Sequence, residues 1–192
     1  MIDRYTRPEM AVIWSEENKL KKWLAVELAV CEVLAADGII PKNVPTMVRK
    51  KAHFSVTRVQ TIEKVVKHDV IAFLTNLAEN IGPLSRYVHY GLTSSDVLDT
   101  ALALQLQDAS AIIREQLRQF RRILKRAAQK HKYTIMVGRT HGIHAEPITF
   151  GLKMLLYCAE CDRHIERFDH AADAVAFGKI SGSVGTFAYL NP

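Results

Sequence analysis

Three histidines of this chain fall where helical patterning is interrupted: His68 in "KHDV", His89 in "HYGLTSSD" and His141 in "GRTHGIHAEP". A histidine has an unperturbed pKa of about 6.5, so each could donate or accept a proton near neutrality. His141 follows Arg139 and Thr140, with Glu146 five residues on. A carboxylate on the second ring nitrogen would fix the tautomer and keep the ring partly protonated, which suits a general acid. Glu146 is the candidate for that partner. Each histidine taken alone reads more readily as a structural or surface residue than as a catalyst; its neighbours are what point to chemistry.

The stretch "HYGLTSSDVLDT" (89–100) gathers a histidine, four Ser/Thr hydroxyls and two aspartates at the expected start of a long helix. Thr93 with Asp96 three residues later forms a variant capping box. Hydroxyls at a helix start are the commonest caps, so a structural role alone is one reading. A cap needs one hydroxyl, however, and Thr93, Ser94 and Ser95 are all present. Surplus donors beside the free N–H groups of a helix N-terminus also suit a carboxylate or phosphate.

Lys67, His68 and Asp69 place a cation, a titratable ring and a carboxylate together. Asp69 could accept from an amine or base edge and Lys67 could meet a phosphate; solvated helix surface is the alternative. Arg4 and Tyr5 form a weaker pair near the N-terminus. Cys158, Cys161 and His164 share a helix face at i, i+3 and i+6, but no second ligand pair lies nearby. They read as small core fillers, with no metal site. No phosphate-cradling glycine loop or dinucleotide fingerprint is present, which disfavours nucleotide hydrolysis and hydride transfer.

The elements that must position these groups read as all-α. Helices are expected over 10–36, 45–52 and 57–80, with "ADGIIP" and "GP" (82–83) as stops. From 96 to 130 a heptad pattern runs, with Leu106, Ile113, Phe120 and Ala127 in one row and Ala103, Ser110, Leu117 and Leu124 in the other. Such a seam packs along its length against other long helices, so a homo-oligomer is expected. Residues 133–151 interrupt the helices with glycines and a proline, and a second long helix is expected over 150–176. The tail "GKISGSVGTFAYLNP" is rich in Gly and Ser. The predicted organisation is a small N-terminal helical domain (1–92) and the opening of a long-helix bundle (93–192).

Composition agrees with a folded chain: 48% of the 192 residues are hydrophobic and 24% charged. No apolar run reaches the length of a membrane span and no secretory signal opens the chain, so a cytoplasmic, membrane-free protein is expected. Three cysteines fit a reduced compartment. The formal charge is +6, and residues 114–132 hold eight Lys/Arg against one Glu. A nucleic-acid footprint would explain that stripe, making a helical scaffold the rival to an enzyme. No aromatic interleaving or recognition motif supports it, and no nucleic-acid partner is expected. An anionic small substrate would also be steered by a basic protein.

"KHDVIAFL", "YVHYGLTSSDVLDTALALQL", "VGRTHGIHAEPITFGLK" and "GKISGSVGT" resemble, in this order, successive blocks of the adenylosuccinate lyases in the fumarase/aspartase superfamily. Argininosuccinate lyases and fumarases carry Asn-containing versions of the "TSSD" block, so its pairing with "KHDV" favours the adenylosuccinate lyases. The resemblance implies fumarate release from adenylosuccinate to give AMP, and from the succinylated carboxamide intermediate of purine synthesis, with no cofactor. It implies His141 as general acid. Thr93 and Ser94 would bind a succinyl carboxylate. Lys67, His68 and Asp69 would line the nucleotide site, Arg4 and Tyr5 would hold its phosphate and sugar, and His89 would be a pocket neighbour. It further implies a homotetramer with shared active sites, and a mobile loop beyond residue 192 that carries the serine base. On this view the chain is an N-terminal portion, inactive by itself.

Overall fold

The computed structural model describes residues 2–189, so the last three residues of the Gly/Ser-rich tail lie outside the described set. Among the described residues there are seven α-helices and one two-stranded hairpin, bearing out the all-α expectation. The chain divides into two compact units, one of residues 1–106 with 176–192 and one of residues 107–175.

In the first unit, α1 (Pro8–Ile13) starts on a proline whose missing N–H is not needed there. The helix expected over 10–36 is two helices. Ser15 is extended and its hydroxyl accepts from Asn18 N–H at 3.1 Å, so a cap ends one helix and begins α2 (Glu16–Ala36). Gly38, at φ 74°, takes the left-handed position after α2. Next come α3 (Val44–Lys51), α4 (Val56–Val66) and α5 (Asp69–Ile81).

The single helix expected over 57–80 is likewise two. Lys67 adopts φ 55° and closes α4, and His68 is extended and caps α5. No glycine or proline marks this break; side-chain capping by the histidine makes it. Trp23 and Phe73 meet edge to face at 5.5 Å, and Val44, Val48, Val70, Leu77, Ile81 and Val97 surround them at the centre of this unit's core.

The long helix α6 (Ser94–Lys130) begins two residues before its expected start. In the second unit its later turns pack against α7 (Phe150–Ala174) around Leu124, Cys158 and Cys161. Both cysteines are buried there as small fillers, and Cys161 Sγ donates to Leu117 O at 3.7 Å. Ion pairs Arg114–Asp169 (2.5 Å) and Arg121–Asp162 fix the two helices antiparallel. Gly151 permits the close approach at the start of α7, because a Cβ there would stand 2.6 Å from Ala128 O and 2.7 Å from His131 O. Of the predicted seam, Ile113 and Phe120 are exposed; outside it, Ile123 of α6 and Leu152, Leu155 and Leu156 of α7 are exposed as well.

The interruption at 133–151 is a β-hairpin of β1 (Ile135–Thr140) and β2 (Ile143–Thr149), for which no strand was expected. Its two-residue connection, His141 at φ 52° and Gly142 at φ 75°, is the primed turn that matches strand twist. A bulge between Val137 and Arg139 brings Gly138 so close to Glu146 O that a Cβ would lie 2.4 Å from it.

Candidate functional site

The N-terminus of α6 is built around Asp96, whose side chain is fully buried. One carboxylate oxygen accepts from Thr93 N–H at 2.9 Å, which is one arm of the predicted capping box. The other accepts from Lys179 Nζ (2.7 Å), Ser181 N–H (3.0 Å) and Gly182 N–H (3.2 Å). Burial alone would push this carboxyl up, but the Lys179 ammonium and the Thr93 and Ser181 N–H groups outweigh it and hold it below the usual carboxylate range. Lys179 Nζ also donates to Ser95 Oγ (3.0 Å) and Gly182 O (2.6 Å). Ser183 Oγ donates to Thr93 Oγ1 at 3.1 Å. Asp96 thus takes the capping role and Lys179 engages Ser95, while Thr93 and Ser94 remain half-exposed with hydroxyls able to donate outward.

His68 lies beside this turn, its Nε2 3.4 Å from Ser94 Oγ. Its Nδ1 accepts from Ile71 N–H at 3.4 Å as the cap of α5, which leaves the ring proton on Nε2, toward Ser94. Asp69 Oδ1 is also 3.4 Å from Nδ1 and accepts from Val70 N–H at 2.7 Å. Lys67 is exposed, presented by the left-handed residue that separates α4 from α5. The structure therefore brings His68, Asp69 and Lys67 to a helix break, and His68 to the hydroxyl-rich turn.

His89, at φ 64°, is held by Glu27 of α2. The carboxylate accepts from the His89 main-chain N–H (2.8 Å) and faces ring Nδ1 at 2.6 Å. Glu27 is 1% exposed, and a carboxylate only accepts, so the ring proton sits on Nδ1. The neighbouring Cys31 thiol is pushed up to about 11 by burial and by the Glu27 charge.

Arg4 and Tyr5 occupy a 3-10 turn, where the guanidinium stacks 4.8 Å from the phenol centroid and Tyr5 is largely exposed. His141 stands in the other unit, exposed at the hairpin tip. No hydrogen bond joins it to Glu146 among the described residues. Glu146 lies instead at the bulge, where its carbonyl approaches Gly138.

Residues 3–192 match the model of a family described simply as "Lyase". The chain belongs to this lyase family. Over all 192 residues it is 49% identical to the adenylosuccinate lyase of Bacillus subtilis (strain 168), 54% to that of Synechocystis sp. and 52% to that of Streptococcus mutans serotype c. It spans 44% of the length of each of these relatives. The fold is similar to that of a fumarate lyase from Mesorhizobium sp. BNC1, with a TM-score of 0.88 and 29% identity over 94% of this chain and 43% of that one. It is also similar to the β-carboxy-cis,cis-muconate cycloisomerase of Acinetobacter calcoaceticus sp. ADP1, with a TM-score of 0.86 and 28% identity over 95% of this chain and 44% of that one.

Two polar anchors of this lyase chain escaped the sequence reading. Glu27 did leave a signal: it lies four residues after Trp23 and four before Cys31, in the buried stripe of α2, where a lone carboxylate needs a partner. Lys179 left none. It sits in a Gly/Ser-rich segment, and the aspartate it binds is more than eighty residues earlier.

Proposed function

We propose that the protein carrying this sequence is an adenylosuccinate lyase, releasing fumarate from adenylosuccinate to give AMP and from the succinylated aminoimidazole carboxamide ribotide of purine biosynthesis. The observation that carries this reading is the 49–54% identity to three adenylosuccinate lyases across all 192 residues. A base removes the proton from the succinyl carbon β to the nitrogen, the C–N bond breaks, and fumarate departs. His141 protonates the leaving nitrogen as general acid. Thr93 and Ser94 bind a succinyl carboxylate, and the His68 ring proton facing Ser94 supports a shared donor cluster there. Lys67, His68 and Asp69 line the nucleotide site, Arg4 and Tyr5 hold phosphate and sugar, and His89 borders the pocket. The base comes from outside these 192 residues, so the chain by itself releases no fumarate. No metal or cofactor takes part.

The working form is a cytoplasmic homotetramer with shared active sites. Exposed Ile113, Phe120, Leu152, Leu155 and Leu156 support burial against further helices. Within the chain, 1–92 serves as the N-terminal domain and 93–192 opens the bundle. The reading includes no nucleic-acid partner; the ion pairs of Arg114 and Arg121 in the basic stripe with acids of α7 support it.

Fumarate release, followed by ultraviolet absorbance in the assembled protein, tests the reading against argininosuccinate and malate as competing substrates. Turnover of either of those without turnover of adenylosuccinate sinks it. Tight, salt-sensitive duplex binding in place of any turnover would favour the scaffold instead.

A further inference from the structure

The loop after α7 is bound to the first turns of α6 more tightly than a Gly/Ser-rich connection requires. Thr100 Oγ1 donates to Lys179 O (3.0 Å) and accepts from Lys179 N–H (2.9 Å), which pins the loop to one side of the helix. Asp96 then gathers Lys179 Nζ and two consecutive N–H groups, of Ser181 and Gly182, on a single buried oxygen. Gly178 lets the loop lie this close, since a Cβ there would come within 3.0 Å of the Thr100 methyl. The next residue of this clamped loop, Ser183, donates to Thr93 Oγ1 at 3.1 Å. A hydroxyl that accepts one hydrogen bond is polarised as a donor, and its own proton is left for another acceptor.

We propose that Lys179 and Ser183 are positioning residues for carboxylate recognition. Lys179 clamps 179–183 onto Asp96, and Ser183 thereby sets Thr93 with its proton directed at an incoming carboxylate. The proposal rests on the assignment of Thr93 and Ser94 to the succinyl carboxylate in the proposed function. It adds two residues that touch no substrate themselves and act through Thr93.

The test compares two ligands on the assembled protein carrying this sequence, with Lys179→Met and Ser183→Ala as variants. Calorimetric binding of fumarate reports the carboxylate site and binding of AMP reports the nucleotide site, both independently of turnover. For Lys179→Met, fumarate affinity is expected to fall by about tenfold or more, with AMP affinity within about twofold. For Ser183→Ala, whose side chain is exposed, a fall of about threefold for fumarate alone is expected. A merely structural clamp would weaken both ligands together, and that result overturns the proposal, as does unchanged fumarate binding in either folded variant. If Lys179→Met fails to fold, Ser183→Ala decides alone. A wild type that binds fumarate but does not cleave adenylosuccinate sinks the proposed activity and leaves the two variants to decide the positioning roles.

Discussion

The turn at 93–96 and the hairpin tip at 141–142 are both polar interruptions of helical structure, yet they are stabilised in opposite ways. At the turn, a buried carboxylate takes four donors, from Thr93, Lys179, Ser181 and Gly182. At the tip, His141 is exposed without a side-chain hydrogen bond among the described residues, and only the φ values of 52° and 75° fix its direction. A group that recognises a ligand is best held by a saturated network, because any slack lowers affinity. A group that must give up and regain a proton is poorly served by such a network, which would favour one protonation state throughout. Backbone geometry can aim a side chain without fixing its charge.

The sharpest way to break this comparison is His141→Ala. If His141 is the acid, kcat in the assembled enzyme should fall by about 10²–10⁴, while thermal unfolding stays where it is in the wild type. A loss under about tenfold removes His141 from that role. A large drop in melting temperature would instead make the tip structural, and the contrast with the turn would collapse.

Asp96→Asn attacks the other side and should cost about 2–3 kcal/mol in urea unfolding, because Lys179 and three N–H groups lose their anionic acceptor. The pH dependence has a definite sign. The folded-state pKa of Asp96 is depressed, so its contribution is complete above the unfolded value of about 3.9 and disappears as pH falls through the lower folded value. Wild-type stability should therefore fall toward the variant's at acid pH, and the difference between them should be flat above about pH 5. A difference that does not shrink in acid would locate the effect outside the ion pair.

Much of the turn was legible because its signals are local. Thr93 and Asp96 are three residues apart, and the hydroxyl surplus at 93–95 is visible without any tertiary knowledge. The clamp was not legible, since Asp96 and Lys179 meet only through the fold of the whole unit. The helix break at 67–68 was hidden for another reason: the stop is a left-handed lysine followed by a histidine cap, with no glycine or proline to mark it. The hairpin reads in sequence only as an interruption of the helices, because its strands are largely exposed and Pro147 and Gly138 blur the alternation that marks a strand. The dipeptide His141-Gly142 was the available clue. Glycine at the second position of a two-residue connection is the common signature of this turn type.

Within the hairpin, Gly138→Ala should cost on the order of 2 kcal/mol, as its Cβ would stand 2.4 Å from a main-chain oxygen that cannot rotate away. The bulge would have to reopen, moving β2 against β1. Two-dimensional NMR should show shifts spread along 135–149, and shifts confined to the bulge would mean that the tip is aimed independently of it.

The smallest expected effect gives the finest test of backbone aiming. Gly142 has open space around its missing Cβ, so Gly142→Ala meets no clash and is penalised only by φ 75°, about 1 kcal/mol. If the primed turn is what aims His141, that strain should relax by shifting the tip. The kcat of the assembled enzyme should then fall about threefold to tenfold, with KM for adenylosuccinate nearly unchanged, since a misplaced acid slows proton transfer without weakening binding. The Thr93–Ser94 turn, in the other unit, should show no chemical-shift change. Equal losses in kcat and in substrate affinity would mean that the tip contributes to binding as well as to proton transfer, and the division of labour between turn and hairpin would have to be redrawn.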